Sequence, residues 1–411
     1  HTYGTVVSGH FCASSGYINK VLCPYVQPKL VLKMFPPSRV RSCLPVINPL
    51  FRQRLRPHRP FRHTSTINAH QTKTTQFSKT KWMNFRTIFT RWMPLGSVIY
   101  VGWCYIRSTI NYDVSKVEIR CYEMLPFRIT SRIWGRLAAC ELPVSIRSLV
   151  YGTYVRLFDV NINDAAVTDL KHYKSLSAFF TRPLRDGARY ISPEPCVSPC
   201  DGTVLNCGPA DTDKIEQVKG VTYSLEEFLG ENKWSKKQGN TYYDTLLENK
   251  NNILHQCIIY LAPGDYHRFH TPCDWKATFR RHFCGKLLSV NPWLARYIPG
   301  LFAINERAVY IGEWKHGFFS MTAVGATNVG SIEIFKDPVL RTNTKGKRNR
   351  INEQELDSVE LKKGELFGQF NMGSTIILLF EAPKDFKFDM VAGDKVLVGQ
   401  SLFQAVKQNS R

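Results

Sequence analysis

The chain has 411 residues, 43% hydrophobic and 12% aromatic, which is enough to bury a substantial core and too apolar for a mainly disordered protein. Its 12 cysteines are spaced irregularly, which excludes a disulfide framework; Cys196 and Cys200 come nearest to a metal pair but have no second pair to complete a zinc site. A net charge of +22 raises nucleic acid or an anionic membrane as partners, yet residues 1–112 hold 16 Lys and Arg and no acidic residue, leaving only +6 for residues 113–411.

Residues 1–82 are rich in Arg, Ser, Thr and His and lack a secretory apolar core, the composition of a mitochondrial transit segment. The rival is a basic nucleic-acid arm, with Arg52, Arg54, Arg56, Arg59 and Arg62 beside Phe51 and Phe61. Nothing downstream resembles a nucleic-acid fold, so no nucleic-acid partner is expected. Residues 92–106 are uncharged and bracketed by Arg91 and Arg107. Such a stretch is shorter than the roughly 20 residues that a bilayer core takes, but flanking arginines can snorkel, and Trp92, Tyr100, Trp103 and Tyr105 suit the interface. A single membrane anchor is the favoured reading, with a buried helix or more transit sequence as the alternatives. Basic residues on its N-terminal side would keep that side in the matrix.

From 113 to about 192 the pattern predicts mostly helix. Within 142–158, Val144, Leu149, Val150, Tyr154 and Leu157 recur at helical spacings among Arg147 and Arg156. That suits a core helix with a solvated face, or an interfacial helix on a membrane. After Pro193 come short β-type runs at 202–205, 257–262, 317–324, 331–335 and 375–381, punctuated by Gly and Pro. Residues 362–369 and 391–400 each join a turn, an apolar run and a second Gly turn, a hairpin signal. Residues 341–358, with a basic run at 345–350, read as a loop. The expected body is α+β, a helical front followed by a largely antiparallel sheet.

Three short stretches could carry chemistry. In SPCDGTV, Asp201 sits in a turn before a strand, and by itself is ordinary turn chemistry. In YLAPGDYHRFHTP, His267 and His270 lie three apart beside Asp265. A pair of His without further ligands is a poor metal signature and lacks the Glu of a zincin helix, so acid–base work is the stronger functional reading. In FNMGSTIILLFEAP, Ser374 follows Gly373 at the start of a β-branched run, without the pattern of a nucleophile elbow. Gly373 supplies the freedom for a hydroxyl to bend back onto its own preceding carbonyl.

Together these motifs cease to be generic. SPCDGTV, APGDYHRFHTP, WKHGFFSMTAVGATNVGSI and FNMGSTIILLFEAP, in this order and spacing and with SLSAFFTRPLR and KGVTYSLEEFLG among them, resemble the mitochondrial type of phosphatidylserine decarboxylase proenzyme. The resemblance spans residues 113–405. Met372 stands where that family most often has Leu, a volume-conserving exchange.

The resemblance implies a self-cleaving enzyme. Ser374 attacks the Gly373–Ser374 bond, and elimination leaves a covalent pyruvoyl group on residue 374. By motif position His270 is the general base, Asp201 the residue that orients it, and His267 a residue near the substrate that assists decarboxylation or protonation. Cleavage gives a β chain ending at 373, with residues 113–373 in the catalytic domain, and an α chain of 374–411, held as a heterodimer. The substrate is phosphatidylserine in the membrane, and the place is the mitochondrial inner membrane with the catalytic part facing the intermembrane space. The chemistry is coherent without the name. Losing CO₂ from an amino acid leaves an electron pair beside nitrogen, and no standard side chain offers a carbonyl to accept it. A pyruvoyl ketone does so through a Schiff base, so neither pyridoxal phosphate nor a metal is expected. Two rivals predict an intact chain: a lipid hydrolase or acyltransferase with Ser374 as its lasting nucleophile, and a non-catalytic membrane-tethered binding module.

Overall fold

The computed structural model describes residues 116–403 apart from 211, 212, 219, 328–330, 346–349 and 372. The expected targeting segment (1–82) and membrane anchor (92–106) lie outside the described residues. No described helix is long and apolar enough to cross a membrane.

The helical front consists of α1 (Lys116–Met124), α2 (Phe127–Ala139), α3 (Val144–Phe158) and the short α4 (Leu176–Phe180). Ser175 caps α4 by accepting from the Ala178 amide, and Pro183 prevents the helix from continuing. Aromatic rings hold the front together: Tyr151 of α3 stacks on Phe179 of α4 at 5.0 Å, and Tyr173 meets Phe179 edge-on at 5.2 Å. The buried face of α3 is therefore Tyr151 with Tyr154, Val155 and Phe158 packed around it. Val144, Leu149 and Val150 of the expected apolar stripe point outward instead, Leu149 being 72% exposed. Helical periodicity admits either stripe, and the one with large rings found a partner to stack on.

Behind the front lie β1 (Gly202–Ala210), β2 (Lys214–Val218), β3 (Val221–Ser224), α5 (Leu225–Leu229), α6 (Tyr242–Leu246), β4 (Asn252–Leu261), β5 (Arg268–His270), β6 (Trp275–Phe283), α7 (Leu301–Ile304), β7 (Arg307–Trp314), β8 (Gly317–Gly325), β9 (Ile332–Ile334), β10 (Ile351–Leu361), β11 (Leu366–Phe370), β12 (Ser374–Pro383) and β13 (Lys395–Val396). Eight strands form one sheet in the order β10-β6-β7-β8-β12-β4-β1-β13. Every neighbouring pair is antiparallel, as expected. A second sheet, β5-β11-β9, and a β2-β3 pair complete the body.

β12 lies deep within the large sheet and is covered on both faces. Ile376, Leu378 and Phe380 join one apolar cluster with Ile259 and Met321, while Ile377 and Leu379 join the other with Ile258 and Val309. This is why STIILLF is continuously apolar rather than alternating. Each such side chain contributes about 1.5–3 kcal/mol by leaving water.

Two expectations are corrected. Residues 362–369 and 391–400 do not form hairpins: β11 pairs with β5 and β9, and β13 with β1, because those strand edges were open to partners distant in sequence. Residues 351–358 belong to β10 rather than to a loop. That strand is mostly exposed, so it carries few apolar residues, and its ladder to β6 is reinforced by Glu353 pairing with Arg281.

Candidate active site

Ser374 is the first residue of β12, opposite Leu261 of β4 on one side and Gly325 of β8 on the other. It is fully buried, and its Oγ has no hydrogen-bond partner among the described residues. A buried hydroxyl without a partner costs about 1–3 kcal/mol, so it calls for a reason beyond structure. Gly373 before it has φ +27°, in the half of conformational space that side chains disfavour, and nothing lies within 4 Å of the place where a Cβ would stand. Here the chain passes from the small sheet, which ends at Phe370, into the large one.

Both histidines lie on the segment that leaves β4 beside Ser374. Pro263 and Gly264 turn the chain; a Cβ on Gly264 would come within 2.0 Å of the Phe158 carbonyl at the end of α3. His267 follows, fully buried, with its ring 3.9 Å (centroid to centroid) from that of Phe180 in α4. Its Nδ1 lies 2.8 Å from the Asp265 carbonyl oxygen, which can only accept, so Nδ1 carries the proton and Nε2 the lone pair. That Nε2 is buried and, like Ser374 Oγ, has no hydrogen-bond partner among the described residues. Burial pushes His267 down to about 3, against the effect of the Asp265 carbonyl and with that of Arg182. The Phe370 amide donates to the His267 carbonyl (2.9 Å), tying this segment to the strand that leads into Ser374.

His270 ends β5. Its Nδ1 is 2.9 Å from the Gly364 carbonyl and its Nε2 3.2 Å from the Tyr266 hydroxyl. Burial lowers its pKa, while the Gly364 carbonyl and the charge of Asp201 act in the opposite direction. Asp201 stands immediately before β1 and is buried. Arg189 grips it with two donors, Nε to Oδ1 at 3.1 Å and Nη2 to Oδ2 at 2.5 Å, and the Val398 amide donates to Oδ1 at 2.8 Å. Burial alone would lower Arg189, but its hydrogen bonds with Asp201 and Asp164 hold it raised.

Asp201 is thus near enough to His270 to affect its titration, yet its hydrogen bonds are with Arg189 and Val398. The contacts of His270 are likewise with Gly364 and Tyr266, not with Ser374. Catalytic hydrogen bonds in resting enzymes are often loose or unmade, so this geometry does not remove the candidates.

Comparison with known proteins agrees with the motif pattern. Residues 176–404 match the family model described as phosphatidylserine decarboxylase. The mitochondrial phosphatidylserine decarboxylase proenzyme of Cricetulus griseus is 48% identical over 300 residues, covering 69% of this chain and 73% of that protein. That of Caenorhabditis elegans is 43% identical over 345 residues, covering 82% and 86%. Proenzyme 1 of Saccharomyces cerevisiae, also named mitochondrial, is 37% identical over 364 residues, covering 69% and 73%. The chain belongs to the phosphatidylserine decarboxylase family.

The part matched to the decarboxylase family begins at the first residue of α4 and contains every site residue named above. It also contains groups that the sequence reading did not single out. Tyr266 sits inside the quoted APGDYHRFHTP motif. Arg182, whose Nη2 donates to the Gly264 carbonyl at 3.2 Å, lies in SLSAFFTRPLR, and Arg189 lies four residues beyond it. Their presence in or beside long motifs was the available signal. The Val398 amide had none, because a backbone group leaves no mark in composition. Away from the site, His282, Cys284 and Glu306 place ligand atoms within 4.8 Å of one another. His282 Nε2 and the Asn343 amide already engage Glu306 Oε1, and Arg128 lies 3.5 Å from Oε2. Through Arg128, Glu306 ties α2 to this edge of the sheet.

Proposed function

We propose that this chain decarboxylates phosphatidylserine to phosphatidylethanolamine, using a pyruvoyl group that it makes from its own Ser374. One observation carries the reading: a fully buried serine hydroxyl with no partner among the described residues, preceded by a glycine at φ +27° with open space around it, in a family whose relatives are named proenzymes.

Self-cleavage uses the chain's own atoms. Ser374 Oγ attacks the Gly373 carbonyl carbon as His270 takes the hydroxyl proton, and the peptide becomes an ester with a free amine at residue 374. Loss of the α-proton expels the Gly373 carboxylate, and water then releases ammonia and leaves the pyruvoyl carbonyl. The charge of Asp201 steadies the proton that His270 takes up at Nε2 in this reading, while Nδ1 keeps its bond to the Gly364 carbonyl. The site suits the product, since residue 374 is walled by β4 and β8 and shielded from water. The pyruvoyl group supplies a carbonyl that condenses with the substrate amine and takes up the electron pair left by CO₂.

His267 is neutral before substrate arrives. An anionic lipid headgroup brought against its Nε2 would raise its basicity, so the ring can accept a proton there and hold it beside the reacting carbon. The lipid reaches the site from the helical front. Ile129, Ile133 and Leu137 of α2 share one face and are 53%, 52% and 59% exposed, with Arg132 and Arg136 interleaved. Apolar side chains with flanking cations suit the interface of an anionic bilayer. We place the protein at the mitochondrial inner membrane, facing the intermembrane space, with chains 113–373 and 374–411 remaining together.

Mass spectrometry of the expressed chain beside Ser374→Ala tests this. Wild type should yield a C-terminal chain of 38 residues, 374–411, with a blocked N-terminus, and make phosphatidylethanolamine, while the variant stays whole and inactive. A folded wild type that stays whole would sink the mechanism and return Ser374 to the hydrolase reading.

A further inference from the structure

His270 has both ring nitrogens engaged, and its two partners differ in kind. The Gly364 carbonyl can only accept, so the proton sits on Nδ1. The Nε2 lone pair then faces the Tyr266 hydroxyl, which must donate. The backbone fixes this arrangement from two sides: the His270 amide donates to the Pro199 carbonyl at 2.7 Å, and the Gly364 amide to the Thr271 carbonyl at 2.8 Å. Tyr266 itself is 5% exposed.

We propose that Tyr266 is a positioning residue for self-cleavage: its hydroxyl holds His270 as the Nδ1–H tautomer, with Nε2 unprotonated and ready to serve as the base when the Ser374 hydroxyl takes the place of the phenol. This rests on His270 being that base. Burial pushes the Tyr266 phenol up to about 12, so it stays a donor wherever His270 titrates. The charges around the pair are Asp201, Arg268, Arg189 and Arg182. On the turn that carries Gly364, Lys363 is bonded to the Ser192 and Glu194 carbonyls, and Glu365 to Lys336. Removing one phenol oxygen alters none of them.

A donor on Nε2 favours the neutral ring, so deleting it lets His270 protonate more readily. In Tyr266→Phe the acid limb of the self-cleavage rate should move to higher pH, by about half to one unit. A purely structural loss would lower the rate and leave the midpoint in place. The rate is followed as the appearance of chain 374–411 after cell-free synthesis of the full chain, across acid to neutral pH. Tyr154→Phe, which deletes a hydroxyl bonded to the Pro263 carbonyl in the same loop, should keep the wild-type midpoint. An unshifted midpoint in Tyr266→Phe overturns the proposal while leaving His270 as base. Wild-type cleavage in His270→Gln would remove His270 as base, and the Tyr266 role with it. If Tyr266→Phe does not fold, NMR of isotope-labelled histidine in the whole Ser374→Ala chain reads the tautomer directly; the Nε2–H form there overturns the proposal as well.

Discussion

At the scale of single residues, the site is notable for what it leaves unsatisfied. Ser374 Oγ and His267 Nε2 are both buried without a partner among the described residues, although buried polar groups are nearly always paired. Asp201 is the opposite case, with both carboxylate oxygens filled. We read the first two as places kept for reacting atoms, and the third as a fixed charge. The two histidines should therefore separate on mutation. His267→Gln removes the Nε2 lone pair but touches neither Ser374 nor His270 in sequence. It should leave cleavage at Gly373–Ser374 intact and lower decarboxylation by about 10²-fold or more, the usual worth of a positioned proton-transfer group. Gel analysis of the two chains alongside phosphatidylethanolamine formation checks this, and an uncleaved His267→Gln precursor would contradict it. The motif strings made these side chains legible in the sequence. Their contacts were not, because Gly364 and Val398 reach the site from segments far along the chain and through backbone atoms.

At the scale of elements, apolar composition gave the strands and misled on one helix. STIILLFEAP reads as a strand covered on both faces and is one, whereas the α3 stripe of Val144, Leu149 and Val150 turned out to face outward. Periodicity reports that a helix has an apolar face; it does not report what covers that face. On α2 the stripe left exposed by the fold is the one we assign to lipid, and that assignment is separable from stability. Ile133 and Leu137 are more than half exposed, so replacing both by Glu should leave the thermal midpoint nearly unchanged. Withdrawing two half-buried side chains from a bilayer costs about 1 kcal/mol each, about 2 kcal/mol in all, so turnover of phosphatidylserine in anionic vesicles should fall about thirtyfold. Turnover of the same lipid dispersed in detergent should stay within about twofold. Equal losses in vesicles and detergent would place the defect inside the site and take the membrane role from α2.

At the scale of the whole molecule, the proposed self-cleavage next to the start of β12 poses a mechanical question: what retains a chain of 38 residues once its N-terminus is free? The topology answers it. β12 lies between β4 and β8, hydrogen-bonded to both, and β13 adds itself to β1 at the sheet's other end. Just beyond β13, Val398 donates to Asp201, and the amides of Ser198 and Ser192 donate to the carbonyls of Gln400 and Gly399. The far end of β12 is pinned by Glu381, which is fully buried. Its Oε1 accepts from the Asn249 amide and Asn252 Nδ2, and its Oε2 from the amides of Glu248 and Phe318. Every partner is a donor, which only a carboxylate can satisfy on both oxygens. In Glu381→Gln the side-chain amide must turn its own donors against two of them, losing two charge-assisted bonds, about 3 kcal/mol in all. Since Ser374 sits at the opposite end of the strand, cleavage should proceed in this variant. The cleaved protein should instead unfold several degrees earlier and release chain 374–411 on gel filtration at a denaturant concentration where wild type keeps it. Loss of cleavage with unchanged retention would mean that Glu381 serves the reacting end of the strand and not its anchorage.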